Sequence, residues 1–359
     1  MIGVTDLDAL CPRAAQRDNR RQLLARPVNL ALQGGGAHGA YTWGVLDRLL
    51  EDGRVEIEAI SGTSAGAINA VILADGFMRD GRDGARQALA DFWRDVSRRS
   101  WWSPLKRTPL DLITGNWNLD HSPGFMLFDI LSRFVSPYEL NPTNFNPLHE
   151  AVRARVDFER VRRCEKVKLF VSATSVFTGR VKVFQCSDLS IEAVMASACL
   201  PNMFRAVEIN GEPYWDGGYM GNPVLFPFYY HCRSRDVVIV QINPLVRRET
   251  PTTAPEISNR VSEITFNASL MRELRAIDFV SRLLQDGNLD PERYRRMLIH
   301  RISDENELKP LRSSSKLNTE WPFLLHLRDI GRRSAAEWLE RNFDRLGEES
   351  SVDIRSLFV

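Results

Sequence analysis

Two glycine-rich corners near the N-terminus constrain this chain more than any other feature. The first, Gly34-Gly35-Gly36-Ala37-His38-Gly39, follows the apolar run Val28 to Leu32; the second, Gly62-Thr63-Ser64-Ala65-Gly66, follows Val55 to Ile60. Each separates a strand-like run from a helix-like one. Residues 27–80 therefore read as strand, helix, strand, helix, which predicts an α/β fold with a mainly parallel sheet flanked by helices. A Gly-x-Ser-x-Gly at a strand-to-helix corner is a nucleophile elbow: the glycines permit a tight turn and the serine hydroxyl projects from its tip. Ala65, Gly66, Ala67 and Ala70 are small enough to let the following helix lie close to the sheet. The triple glycine offers unhindered backbone N–H groups at a helix N-terminus, suited to a developing oxyanion. Together the corners predict serine acyl-hydrolase chemistry with Ser64 as nucleophile.

A serine nucleophile needs a base. The six histidines, His38, His121, His149, His231, His300 and His326, sit in no motif that advertises a triad. Trp215-Asp216-Gly217-Gly218-Tyr219, after a short strand-like run from Glu212, could present a carboxylate at a sheet edge. On local sequence alone the same residues read first as an ordinary Asp-Gly hairpin turn, so the base stays open.

Further along, residues 85–99 read as a helix, and an aromatic-rich stretch follows with Trp101, Trp102, Trp117, Phe125 and Phe128. Leu127, Phe128, Leu131, Phe134 and Val135 fit a short amphipathic helix. This stretch reads either as a lid or lipid-contacting surface, with Trp101 and Trp102 beside Lys106 and Arg107 as an interfacial anchor, or as core filling above the sheet. Strands are expected at Val167 to Ala173 and Arg180 to Phe184 around a Thr178-Gly179 turn, and at Val237 to Ile242; Ile191 to Cys199 reads as a helix. Residues 245–258 are rich in proline and threonine and read as a linker or surface loop. Ile264 to Leu284 and Ala335 to Leu346 read as helices. The expected organisation is a lead-in over 1–26, a catalytic domain over 27–244 and a helical C-terminal extension over 245–359.

The ordered series strand–GGGAHG–helix, strand–GTSAG–helix and distal Asp216-Gly217-Gly218 with Asn222-Pro223 resembles the patatin-like phospholipase family over roughly residues 27–243. Ala173-Thr174 with Thr178-Gly179, and Ala196-Ser197-Ala198-Cys199-Leu200-Pro201, match as well. The resemblance implies a three-layer patatin-like core, and a catalytic dyad of Ser64 and Asp216 without histidine. Asp216 would act as general base and then as general acid, and the Gly34, Gly35 and Gly36 amides would form the oxyanion hole. The family usually has arginine where this chain has His38, so a supporting role for His38 is an open reading beside simple packing. The region from Leu245 onward resembles the C-terminal extension of a subgroup of bacterial patatin-like proteins.

The expected activity is hydrolysis of carboxylic esters of phospholipids or other acyl lipids through an acyl-Ser64 intermediate. Acyl transfer, thioester or polyester cleavage by the same dyad, a true Ser–Asp–His hydrolase and an idle scaffold that keeps the fold remain alternatives. No metal or organic cofactor is implied. A net charge of +1 over 359 residues favours neither nucleic acid nor an anionic membrane. Five cysteines without close pairs point away from a disulfide framework or zinc site and toward a reducing compartment. No apolar stretch reads as a signal peptide or a membrane span. The expected setting is cytoplasmic, with peripheral contact to membrane or lipid surfaces as an open reading.

Overall fold

The structure, a computed structural model, describes residues 25–358. The expected lead-in over 1–26 thus lies almost wholly outside the described residues. The strands are β1 (Arg26–Leu32), β2 (Val55–Gly62), β3 (Lys168–Ser175), β4 (Val181–Gln185), β5 (Val207–Ile209), β6 (Glu212–Asp216), β7 (Asp236–Val240) and β8 (Leu298–Ile302). They form one sheet in the order β5-β6-β3-β2-β1-β7-β8, with β4 also paired to β3. The run β3-β2-β1-β7-β8 is parallel throughout; β4, β5 and β6 pair antiparallel.

Parallel strands need both faces covered, and their side chains alternate between two cores. Val28, Leu30 and Leu32 of β1 join Val238 and Val240 of β7 in one cluster. Ala31, Val237 and Ile239 join the other. The first face is covered by helices α1 (Gly39–Asp52) and α2 (Ala65–Arg99), together with α3 (Ile191–Ser197) and a long helix near the C-terminus, α6 (Trp321–Asn342). The second is covered by α4 (Phe226–His231) and α5 (Ala254–Gln285), through Phe228, Leu270, Leu274 and Ile277. The result is the three-layer core expected. The two helices expected either side of residue 80 are both present and run together as α2, with a kink where Asp80 and Gly81 leave helical angles.

The C-terminal region is helical, as expected, but it is also part of the sheet. β8 lies beside β7, although its Leu298-Ile299-His300-Arg301-Ile302 run was not anticipated as a strand. α5 starts at Ala254, within the stretch expected as a loop, on a capping box from Thr253 and Glu256. α6 starts fourteen residues before Ala335 and crosses α1 at glycines. A Cβ on Gly44 would run into the Arg328 carbonyl, and one on Gly331 into that of Tyr41. Among the described residues no helix is long and apolar enough to cross a membrane.

Candidate active site

Pairing along β3 brings the two distant motifs together. β4 pairs with Phe170 to Thr174 and overlaps the registers of both β2 and β6, so it occupies one edge of β3 while β2 and β6 share the other. β2 ends at Gly62 opposite Val171, and β6 arrives from the opposite direction to end at Asp216 opposite Ala173. The turn that follows each strand end therefore meets its counterpart. The Thr63 hydroxyl sits between them, 2.6 Å from Ser172 Oγ and donating to the Gly221 carbonyl at 2.6 Å.

Ser64 sits at the tip of the turn with φ 54° and ψ −121°, a strained conformation for a residue with a Cβ and the one a nucleophile elbow imposes. Its N–H donates to Ser197 Oγ at 2.9 Å, and the Gly66 N–H closes the turn on the Thr63 carbonyl at 2.8 Å. The Asp216 carboxylate is 1% exposed. Burial raises its pKa to about 7, against the Gly218 N–H, the Ser64 hydroxyl and the charge of Lys316, which all favour the ionised form. The Gly218 N–H donates to Oδ1 at 2.7 Å. The Asp216 backbone is pinned by its N–H to the Cys199 carbonyl at 2.7 Å and by Thr174 Oγ1 to its carbonyl at 2.9 Å.

The glycine loop lies against the elbow: a Cβ on Gly34 would stand 2.7 Å from Ser64 Cβ. Its three amides are not equivalent. The Gly34 N–H donates to Asn222 Oδ1 at 2.7 Å, and the Gly34 carbonyl accepts from Asn243 Nδ2 at 2.9 Å. Gly34 is thus committed to framing the loop. Among the described residues the N–H groups of Gly35 and Gly36 meet no protein acceptor.

His38 is buried and its Nε2 lies 2.8 Å from Ser315 Oγ. The Ser315 hydroxyl donates onward to the Arg312 carbonyl at 2.7 Å, so the histidine Nε2–H is the donor in the first contact. Burial, and then the charge of Lys316, lower the His38 pKa to about 3; the ring is neutral at working pH. The other histidines are engaged elsewhere: His121 with Asp111, His149 with Glu150, His300 with Asp236, His231 on Phe170 and His326 on Trp117. None is hydrogen-bonded to Ser64.

A folded pKa below the ordinary histidine value means that the folded state binds fewer protons. Stability from a neutral His38 is complete above about pH 6.5 and drains as pH falls toward 3. By pH 5 the loss from this ring is about 2 kcal/mol. His38→Gln cannot titrate, so its melting temperature should fall less than that of wild type between pH 7.5 and pH 5. Equal falls in the two proteins would remove His38 from the acid response.

Ser64 opens into a cavity of about 520 Å³ whose walls are mostly apolar, including Ile68, Phe92, Leu200, Met203 and Phe204, with Lys316 as a cationic member. Ser197 and Asn222 fell within motifs quoted from the sequence. Asn243, Ser315 and Lys316 carried no local signal and reach the site only through the fold.

A family model described as Patatin-like phospholipase matches residues 30–229. No curated protein matches the chain. Among solved structures, VipD from Legionella pneumophila is 16% identical with a TM-score of 0.32, over 85% of this chain and 67% of VipD. A chain of the heterodimeric ExoU–SpcU complex from the type III secretion system of Pseudomonas aeruginosa is 15% identical with a TM-score of 0.35. The match covers 89% of this chain but 53% of that one, so the present chain spans about half its length.

Proposed function

Since this chain belongs to the patatin-like phospholipase family, we propose that it hydrolyses lipid carboxylic esters through an acyl-Ser64 intermediate, with Asp216 as base. The observation that carries the reading is a buried carboxylate of raised pKa, sensitive to the Ser64 hydroxyl, with that serine strained at the wall of an apolar cavity. A carboxylate tuned to about 7 is matched to proton transfer near neutral pH. Ser64 Oγ attacks the ester carbonyl carbon as its proton passes to Asp216. The carbonyl oxygen, now negative, takes the Gly35 and Gly36 N–H groups. Collapse of the adduct breaks the ester C–O bond, and the departing alcohol recovers the proton from Asp216. Water then gives a proton to Asp216 and attacks the acyl carbon. The fatty acid leaves and Ser64 regains its hydrogen.

The decisive experiment incubates purified protein with a fluorophosphonate probe and, separately, with a panel of phospholipids and neutral acyl lipids, products being read by mass spectrometry. Labelling mapped to Ser64 with release of free fatty acid supports hydrolysis. Labelling with acyl groups appearing on a second lipid assigns transfer instead. No labelling and no product leaves only the scaffold.

Lipid esters reside in aggregates, and the rim of this cavity suits one. Trp102, which lines it, is 90% exposed. Ile113 and Phe134, in the same aromatic-rich stretch, are each 84% exposed. Trp117 and Leu119 do pack into the core, but the helix Pro123–Phe134 buries none of its residues. We assign that helix, with Trp102 and Ile113, to contact with a lipid surface. Ile113→Glu with Phe134→Glu should lower turnover of vesicle or micelle substrate by roughly tenfold or more, since each change puts charge where apolar area would be buried. Turnover of a water-soluble short-chain ester should stay within about threefold. Equal loss on both substrates would count against a surface role.

A further inference from the structure

Lys316, half-buried on the wall of the cavity into which Ser64 opens, stands in a short 3-10 turn, Ser313–Leu317, of the C-terminal region. Isolated buried ammonium groups are costly unless they are paired or used. Lys316 Nζ donates to Asn243 Oδ1 at 2.8 Å, and the same Asn243 side chain holds the Gly34 carbonyl. The Lys316 backbone carbonyl lies where a Cβ on Gly36 would be. The ammonium lies 5.8 Å from the centre of the Phe266 ring, and that ring lies against Gly218, two residues from Asp216.

The charged and titratable groups that bear on Lys316 come from three elements: Asp216 at the end of β6, His38 beyond β1 and Glu263 on α5. His38 is neutral. Glu263 is already shared by Arg247, at 2.6 Å, and Arg260, at 3.1 Å. Among the described residues Lys316 has no carboxylate in ion-pair contact. The groups that bear on Asp216 besides Lys316 are Ser64, the Gly218 N–H, Cys199 and Tyr219. Lys316 is the one cation among them.

We propose that Lys316 is the positioning cation of the dyad: supplied by the C-terminal region, it holds Asp216 in its ionised, proton-accepting form and makes the catalytic site incomplete without that region. The inference rests on the Ser64–Asp216 reading above. It accounts for an ammonium without a carboxylate partner on the wall of the cavity into which Ser64 opens. It also gives the charges an order. Burial lowers the Lys316 pKa to about 8 and raises that of Asp216 to about 7, so between these values the ammonium is charged and the carboxylate is ready to accept.

The test measures the rate of fluorophosphonate labelling of Ser64 from pH 5 to 9 in wild type, Lys316→Met, Lys316→Gln and Lys316→Arg, with melting temperatures alongside. Wild type must label at Ser64 with an acid limb; if it does not, the dyad reading itself fails and the variants are not needed to show it. Given that limb, loss of the positive charge should raise the Asp216 pKa and move the limb upward by roughly one pH unit in both neutral variants. Lys316→Arg should keep the wild-type limb. An unmoved limb in either neutral variant overturns the proposal. So does a limb that moves as far in Lys316→Arg, since packing and not charge would then be responsible. If both neutral variants fail to fold while Lys316→Arg folds, the ammonium serves the fold and the proposal is again overturned.

Discussion

Asp216→Asn is expected to lower kcat on a lipid ester by about 10⁴-fold, close to the loss from Ser64→Ala, because nucleophile and base act as a unit. The amide keeps the size of the carboxylate and an oxygen for the Gly218 N–H, which donates to Oδ1 at 2.7 Å. What it loses is the capacity to take a proton. The double variant should therefore be no worse than either single one. The pH profile carries a second signature. Wild-type kcat/KM should fall about tenfold per unit below pH 7, because Asp216, with its pKa raised to about 7, must be ionised to accept the serine proton; the residual activity of the asparagine variant should lack that limb. Stability should move differently. A carboxyl whose folded pKa is raised binds its proton more tightly in the folded state, so its contribution is lost as pH rises from the ordinary carboxylate range through 7. The asparagine variant, which never carries the charge, should melt no lower than wild type at pH 8. An asparagine variant that retained a tenth or more of wild-type kcat would move the base to another group.

The glycine loop yields the second large effect, and it separates two adjacent residues. Gly36 has φ +58°, and a Cβ there would run into the Lys316 carbonyl. Gly36→Ala should thus displace the amide and the turn behind it together, lowering kcat by about 10²–10³-fold, the scale of a lost oxyanion donor. Gly35 has φ 166°, an extended value open to any residue, and a Cβ there would meet the tip of the Ile242 side chain at 2.7 Å. That tip can rotate away, and the Cβ does not point at Ser64. Gly35→Ala should keep kcat within about tenfold, with a modest loss of stability from crowding Ile242. Steady-state kinetics on both variants, with melting curves, make the comparison. Equal losses at the two positions would mean that loop packing, not amide placement, governs the rate.

Much of this site was legible because its parts are local. Gly-x-Ser-x-Gly after Ile60, the triple glycine after Leu32 and Asp-Gly-Gly after Trp215 each describe a turn that the chain makes within a few residues. The parallel sheet followed from apolar runs such as Val237 to Val240, which are buried on both faces. What sequence could not supply was pairing at a distance. That β2 and β6 share an edge of β3 is a property of register. That Gly34 spends its N–H on Asn222 depends on two loops meeting. Lys316 stands in Ser313-Ser314-Ser315-Lys316, an ordinary polar turn by composition, and only its place on the cavity wall distinguishes it. β8 was missed because His300 and Arg301 interrupt its apolar run; the fold absorbs His300 through Asp236 on the neighbouring strand at 2.9 Å. The start of α6 is hidden in sequence because Arg328, Asp329, Gly331, Arg332 and Arg333 break the apolar pattern between Leu327 and Ala335, where the glycine is needed for the approach to Tyr41.

The embrace of the glycine loop by the turn Ser313–Leu317 also has a meaning in time. A chain is made from its N-terminus, and its early parts are free to begin folding during synthesis. By residue 66 the growing polypeptide already holds the loop and the serine corner. The partners of that loop, Asn222, Asn243, Ser315 and Lys316, arrive only as translation proceeds, the last of them some 250 residues later on a ribosome adding roughly 5–20 residues per second. A nascent chain thus holds Ser64, the proposed nucleophile, for many seconds before the residues that frame its loop exist. If the proposed dyad holds, activity against lipid esters should then be absent from any chain truncated before the turn Ser313–Leu317.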